Sequence, residues 1–429
     1  MTQTHETPPA DPPATGHTET AHRDEGWRKL VPLLAAVALA FVLSVTTGSL
    51  PVFVFVVAVV AMIMIHEAGH FLTAKWSGMK VTEFFLGFGP RLWSVRRGET
   101  EYGVKAIPAG GYVKIVGMSN LERSVDPADE PRTYRQQSYA RRLLVVSAGI
   151  VTHFVTAFLI LMLLWTVVGV PRYDKPLLTV EQLSRLQTGE SPARDAGLRV
   201  GDRIVSYDGI AVEDDADVPG YIRARAGQAI TFVVERDGRR ETLVVTPAAV
   251  SREGQSIGYI GVGLGPEVET VNPAVGMARA GRDVGELTWG SVRALGAFFA
   301  PSSLRNYADL VTGKPAEDES AEEARPLSIV GVVRIAGQAA ETGIFNVLNL
   351  FAVLSVFIGV LNLVPLLPFD GGHIAIATYE RIRSRRGRRY HADVGKMMPV
   401  AAAVLAVFIV LGVTSIWLDI FSPSDNPFQ

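Results

Sequence analysis

Pro51-Val-Phe-Val-Phe-Val-Val-Ala-Val-Val-Ala-Met-Ile-Met-Ile65-His66-Glu67-Ala68-Gly69-His70, running on as Phe71-Leu-Thr-Ala-Lys-Trp76, decides how the rest of the chain is read. Fifteen residues without a charge lead directly into three ionisable side chains, and the helical pattern then continues. At 1.5 Å per residue, such a helix crosses a hydrocarbon core of about 30 Å. One charged side chain at the centre of a span costs about 2.5–3.5 kcal/mol on insertion scales, so three together need a reason. On a helix, His66 and His70 lie one turn apart on one face and can hold one metal ion between them. Glu67 is adjacent and reaches a water held there. The plain alternative is a helix that ends at His66 and leaves interfacial residues behind it.

Four other apolar runs flank this one: Leu30 to Val45, Leu143 to Val170, Ile344 to Leu367 and Met397 to Leu418. The last three are long enough to span a bilayer. The first is short, and is either a retained span (30–48) or a signal sequence, with Arg28 and Lys29 before it and Thr47-Gly48-Ser49 after it. These runs explain how 429 residues reach 48% hydrophobic content with 20% charged and a mean hydropathy of +0.23. The net charge of −2 provides no basic field for nucleic acid, so none is expected as a partner. The absence of cysteine excludes disulfides, thiolate metal sites and cysteine nucleophiles. Residues 1–27 have almost nothing to bury and are expected to form a disordered tail.

Lysine and arginine collect between Lys75 and Arg142 and again between Arg381 and Lys396. By the positive-inside rule both segments are cytoplasmic, which places 171–343 outside. That outer segment holds an expected α+β module at 178–266. Asp237-Gly238 sits between the β-rich flanks Ile230 to Arg236 and Arg239 to Val245, a hairpin signal, while Pro192 to Gly197 and Val218 to Ala226 read as short helices. Apolar residues at helical spacing over 276–311 predict one amphipathic helix, and Lys314 to Arg325 a mobile acidic loop, both within 267–343. On the inner side, 80–117 reads as a membrane-associated β-element, with Arg91 to Val95 and Glu101 to Ile107 as its hairpin, followed by a cytoplasmic loop at 118–142. The expected fold is a polytopic α-helical membrane protein of four or five transmembrane helices, with this β-hairpin and an extracytoplasmic α+β domain.

A two-histidine metal site needs a third ligand and an open position to be catalytic. The run at 344–380 supplies Asn362-Leu-Val-Pro365-Leu-Leu-Pro368-Phe369-Asp370-Gly371-Gly372-His373. A single carboxylate follows a span broken by two prolines. Broken backbone at membrane depth is tolerated only where it faces protein or a watery cavity. Asp370 therefore reads as the third ligand; alone, it would read as an ordinary Asp-Gly turn.

His66-Glu67-Ala68-Gly69-His70 together with Asn362 to Gly371 resembles the site-2 protease family of intramembrane zinc metalloproteases. The intervening module, PDZ-like in this light, makes the chain similar to the bacterial regulator-of-sigma-E type and its actinobacterial relatives. Gly87-Phe88-Gly89-Pro90, Gly110-Gly111-Tyr112-Val113 and Pro326-Leu-Ser-Ile-Val-Gly331 match as well. The departures are Phe369 before Asp370 where the family commonly has Leu, a single PDZ-like module, the extra run at 30–48, and Gly149-Ile150-Val151-Thr152-His153 where the family usually shows Gly-Pro-x-x-Asn. His153 either takes over the packing of that Asn or adds a polar group near the metal.

The resemblance implies Zn²⁺ held by His66, His70 and Asp370, with Glu67 as general base. It implies as partners the lipid bilayer and single-pass transmembrane substrates: an anti-sigma factor or leftover signal peptides, cut first by another protease. A transmembrane helix hides its carbonyls in its own hydrogen bonds and must unwind before hydrolysis. An edge of the β-element can pair with the unwound strand, Gly110, Gly111 and Tyr112 allowing close approach and Asn362 hydrogen-bonding the same backbone. The PDZ-like module is expected either to filter substrates by size or to capture tails. Competing with all this is a membrane scaffold with a structural metal, for which Glu67 has no use. A transporter would show paired broken helices, and one broken segment is present.

Overall fold

Long apolar runs become long helices, since only a helix satisfies every backbone N–H and C=O within its own segment. The computed structural model describes residues 21–422 apart from 119–124, 173–174, 177, 187–188, 190, 213–216, 253–254, 314–324 and 385–389. Residues 1–20 of the expected tail and 314–324 of the expected mobile loop lie outside the described residues. Helix α1 (Ala21–Thr46) begins within the stretch expected as tail and so takes in residues 21–27. Gly48, at φ 74°, turns the chain into α2 (Leu50–Trp76), whose first turn holds Pro51. There a missing N–H costs nothing.

Strands β1 (Val81–Arg97) and β2 (Thr100–Ile115) are longer than the hairpin read from sequence, and each folds back on itself. Ser94 pairs with Gly103, Gly103 also with Phe85, and Phe85 also with Tyr112. The result is four segments side by side in the order 91–97, 100–105, 81–86, 111–115. Gly87 and Gly89, at φ 87° and 84°, make the fold-back, and a Cβ on Gly87 would lie 2.6 Å from the Ile107 carbonyl oxygen. Segment 111–115 is an edge, paired on one side only among the described residues. Helix α3 (Tyr139–Leu163) follows, extended by a π-helical turn at Leu164–Val168.

The chain divides into two compact units, Leu161–Arg282 and the remainder. Within Leu161–Arg282 the elements are β3 (Val170–Arg172), β4 (Thr179–Leu183), α4 (Pro192–Asp195), β5 (Arg203–Tyr207), β6 (Ile210–Ala211), α5 (Val218–Arg223), β7 (Ile230–Arg236), β8 (Arg239–Val245), β9 (Ala248–Arg252), β10 (Gln255–Tyr259), β11 (Val262–Gly265) and β12 (Glu267–Glu269). Their main sheet is antiparallel in the order β11-β4-β5-β7-β8, with β6 pairing β5. Ile230, Phe232 and Val234 alternate inward along β7 and join Val180, Ile204 and Val245 in the core. Asp237 and Gly238 both take positive φ between β7 and β8, as a type I′ turn requires.

The amphipathic stretch is two helices rather than one, α6 (Pro273–Phe298) and α7 (Pro301–Val311). Pro301 has no N–H to continue α6 and instead opens α7. A further helix absent from the sequence reading, α8 (Ile329–Thr342), is capped by Ser328, whose Oγ accepts from the N–H groups of Val330 and Gly331. Arg325, expected to close a mobile loop, is instead buried against Asp419: its Nη2 lies 3.1 Å from the carboxylate, with side chains 5% and 1% exposed. Then come α9 (Ile344–Asn362), an irregular stretch over 363–369, α10 (Asp370–Arg383) and α11 (Met398–Phe421). Among the described residues, four helical segments are long and apolar enough to cross a membrane: Leu50–Trp76, Tyr139–Val168, Ile344–Asn362 and Gly395–Phe421, with Val31–Thr46 a shorter apolar helix. Where α2, the β-element, α3 and α10 meet, Ala74, Val81, Ile115, Val145 and Val146 form a core with Phe71 and Ile374 against it.

Candidate metal centre

His66 and His70 share the inner face of α2, 8% and 7% exposed. Their Nε2 atoms lie 3.1 Å apart. Asp370, the first residue of α10, brings its Oδ2 to 3.3 Å from His66 Nε2 and 3.2 Å from His70 Nε2. Around a tetrahedral zinc ion, with bonds of about 2.0–2.1 Å, neighbouring ligand atoms are about 3.3–3.4 Å apart. The triangle matches one face of that tetrahedron to within a few tenths of an ångström. These residues are the only His, Asp and Glu cluster of metal-binding geometry among the described residues.

The protonation pattern supports the same occupant. His70 Nδ1 lies 2.8 Å from the Val145 carbonyl oxygen. A carbonyl only accepts, so Nδ1 carries the hydrogen, and in the neutral imidazole Nε2 is left to act as a ligand. Asp370 Oδ2 faces the same two Nε2 atoms and meets no other donor among the described residues. Three buried ligand atoms converging on one point are costly unless a proton or a cation lies between them. A divalent cation removes that cost, and the donor set fits one.

Glycines make the room. A Cβ on Gly149 of α3 would stand 2.3 Å from His70 Nε2 and 2.8 Å from His66 Cε1. A Cβ on Gly69 would meet the Ala148 carbonyl oxygen at 2.9 Å, so α2 and α3 cross glycine against backbone. Gly371 and Gly372 press on the irregular stretch itself, where Cβ atoms would fall 2.3 Å from the Leu363 oxygen and 2.7 Å from the Leu366 carbonyl carbon. That tight wrap carries Asp370 back to the end of α9. None of these packing roles was read from sequence; the bare glycine inside an apolar span, in the Gly149 to His153 stretch already quoted, was the available signal for the first.

Glu67 is half-buried beside His66, and β2 approaches it at Gly111, whose Cβ would lie 2.9 Å from Glu67 Cγ. Gly110 backs onto the Phe88 ring instead. Tyr112 is engaged within the sheet: its hydroxyl donates to Glu83, and its ring stacks on Phe85 and lies under the Lys105 ammonium at 4.8 Å. Asn362 ends α9, half-buried, its side-chain amide making no hydrogen bond among the described residues. His153, one turn beyond Gly149, is 2% exposed and packs its ring 4.9 Å from that of His66. It therefore stands against a candidate ligand.

Residues 54–406 match the model of Peptidase family M50. The zinc metalloprotease Rip1 of Mycolicibacterium smegmatis is 34% identical over 403 residues, 86% of this chain and 97% of that one. Rip1 of Mycobacterium tuberculosis is 33% identical over 401 residues, 86% of this chain and 96% of that one. Among solved structures, the PDZ domain of an SdrC-like protein from Listeria monocytogenes aligns over 22% of this chain and 90% of that chain, at 23% identity and a TM-score of 0.18. The α+β character of Leu161–Arg282 rests on its own strand order. A match over this much of the chain makes it a member of peptidase family M50, a multi-pass membrane zinc metalloprotease of the site-2 protease family.

Proposed function

We propose that this protease hydrolyses peptide bonds within or near the transmembrane segments of single-pass membrane proteins, as a step of regulated intramembrane proteolysis. Its substrates are an anti-sigma factor or remnant signal peptides, shortened beforehand by another protease. One observation carries the reading: the ligand triangle and Glu67 sit on or beside apolar spans, His66 lying 16 residues into α2, about 24 Å along its axis.

His66, His70 and Asp370 would hold the zinc ion, which when bound makes water acidic near neutral pH and polarises a carbonyl. Glu67 takes the proton of the attacking water on its carboxylate and returns it to the leaving amine. His70, fixed by its bond to the Val145 carbonyl, keeps Nε2 available as a ligand. Segment 111–115 offers backbone groups to an unwound substrate, and Gly111, flush against Glu67, permits the close approach. Asn362 supplies a free amide to the same backbone. Tyr112 serves this site by holding the edge in place, its hydroxyl already bound to Glu83. By the distribution of lysine and arginine, the catalytic site opens toward the cytoplasm and the PDZ-like module lies outside. There the module admits substrates by size or by their tails.

The test is cleavage of a model single-pass substrate by purified protein in liposomes, wild type beside Glu67→Gln, with bound zinc counted in both. We expect turnover to fall by at least about 10²-fold with zinc retained. Val113→Pro, which removes an edge N–H that also faces the Glu67 carboxylate, should lower cleavage while leaving zinc in place. Equal turnover in wild type and Glu67→Gln would remove the base from the mechanism. No cleavage of any truncated membrane substrate, beside cleavage of a soluble peptide, would move the activity out of the membrane.

A further inference from the structure

A cavity of about 430 Å³ opens between the start of α3 and the end of α10, away from the metal centre. Arg135, Ser138, Tyr139, Arg142, Arg381 and His391 line it. Two of the three arginines are balanced: Arg142 Nη1 lies 2.6 Å from Glu380, and Arg135 is held by Glu130 at 2.5 Å. Arg381 is exposed and has no acidic partner among the described residues. The cavity therefore carries one uncompensated positive charge, with the hydroxyls of Ser138 and Tyr139 beside it.

Its position selects the ligand. Span Tyr139–Val168 starts at the cavity's rim, and span Gly395–Phe421 starts just past His391. Tyr379 and Ile382 on α10 are 48% and 67% exposed at the same end, and Tyr390 is 38% exposed. Exposed tyrosines and an exposed isoleucine beside the cavity from which two spans start mark the level of lipid headgroups. Phosphate is concentrated at that level, and arginine-lined pockets between helices take it in preference to zwitterionic surroundings.

We propose that this cavity binds the phosphate of an anionic phospholipid headgroup. The bound headgroup bridges Ser138 and Arg142 on the α3 side to Arg381 on α10. These are the two helices that carry Gly149 and Asp370, so the occupant ties together the elements that close the metal centre. The site stands whether or not the proposed membrane substrates are correct, because its test does not involve proteolysis.

Purified full-length protein in phosphatidylcholine vesicles is given trace spin-labelled phosphatidylglycerol or spin-labelled phosphatidylcholine, and the motionally restricted fraction is read by electron paramagnetic resonance. Wild type should prefer phosphatidylglycerol, and Arg381→Gln should lower that preference about fivefold. Arg383→Gln serves as control: it removes the same charge from the same helix, but Arg383 stacks over Tyr390 at 5.3 Å and does not line the cavity. It should retain the preference. Zinc content checks that each variant is folded. Parity between the two lipids in wild type overturns the proposal, and so does equal loss in both variants, which would signify diffuse surface charge. Displacement of the label by millimolar inorganic phosphate as effectively as by unlabelled short-chain phosphatidylglycerol would assign the cavity to soluble phosphate and overturn the lipid source.

Discussion

Asp202, in the sheet module, and Asp370, at the head of α10, are both carboxylates shielded from water, and their surroundings treat them in opposite ways. Asp202 is fully buried, and each oxygen is answered. Arg236 Nε donates to Oδ1 at 2.6 Å and Nη2 to Oδ2 at 2.6 Å, and the Arg199 N–H adds a bond of 2.8 Å. Asp370 is flanked by two imidazole nitrogens at 3.2 and 3.3 Å, one of them on His70, whose Nδ1–H is already committed to the Val145 carbonyl. A buried charge with all its donors in place holds a fold together. A buried charge on which two imidazole nitrogens converge, at the spacing of a metal's ligands, fits a cation. The difference between structure and site lies in the donor count around the carboxylate, not in how deeply it is buried.

The sharpest way to break this contrast is to delete each carboxylate in turn. Asp370→Ala should take bound zinc from one per chain to none and peptide hydrolysis below detection, while amide protection in the β7–β8 hairpin stays as in wild type. Metal analysis and hydrogen exchange on the same sample decide it. Zinc retained in Asp370→Ala would mean that another group completes the set. Next in size is Gly149→Ala. Its methyl would fall 2.3 Å from His70 Nε2, so α3 must retreat or the imidazole must turn. Zinc affinity should fall about 10–100-fold, the range seen when the groups that orient a ligand are disturbed. Titration with a competing chelator reads this directly, and an unchanged affinity would show that α3 yields without cost.

That second prediction marks where the sequence was legible and where it was not. His66, Glu67 and His70 are one local turn of helix, so their spacing alone reports their geometry. Asp370 is distant in sequence, yet the broken apolar run around Pro365 and Pro368 singles it out, because only a lined cavity tolerates such backbone. Gly149 carries no chemistry of its own. Its importance exists only once α2 and α3 cross, which no periodicity in either helix specifies. The β-element is a similar case: alternation showed strands near Arg91 and Glu101, but the fold-back through Gly87 and Gly89 depends on pairing between segments. Helix α8 was missed for a different reason. Only 14 residues long, it lies between a polar stretch and a far stronger apolar signal, and what holds its start, Arg325 and Ser328 against Asp419, comes from the other end of the chain.

A smaller effect tests the other half of the contrast. Asp202→Ala leaves Arg236 buried without its partner, and breaking such a pair costs about 3 kcal/mol or more. The β7–β8 amides should exchange faster by the corresponding factor, while zinc content and turnover per folded molecule remain at wild-type values. Loss of zinc in this variant would mean that a satisfied carboxylate in the module also supports the metal, and the separation drawn between the two would fail.

Acid should dissolve both sites, for different reasons. Burial alone pushes the Asp202 carboxyl up, but the Arg236 guanidinium and the Arg199 N–H outweigh it and hold the group below the usual carboxylate value. A group depressed in the folded state stabilises the fold in full above its unfolded value, about pH 3.9, and that contribution is lost as pH falls through the folded value. Protection of the β7–β8 amides should therefore be flat from neutrality to about pH 4 and decline below it. In Asp202→Asn the decline should be shallower, since the proton taken up by that carboxyl is gone. Protonation spares the side chain and part of its bonding, so the change is smaller than that of the alanine deletion. Zinc should leave earlier in the same titration, because its imidazole ligands must lose their protons to bind it. A pH range in which metal is gone and the module is still fully protected is what two independent carboxylates require; simultaneous loss would show one cooperative unit in place of two.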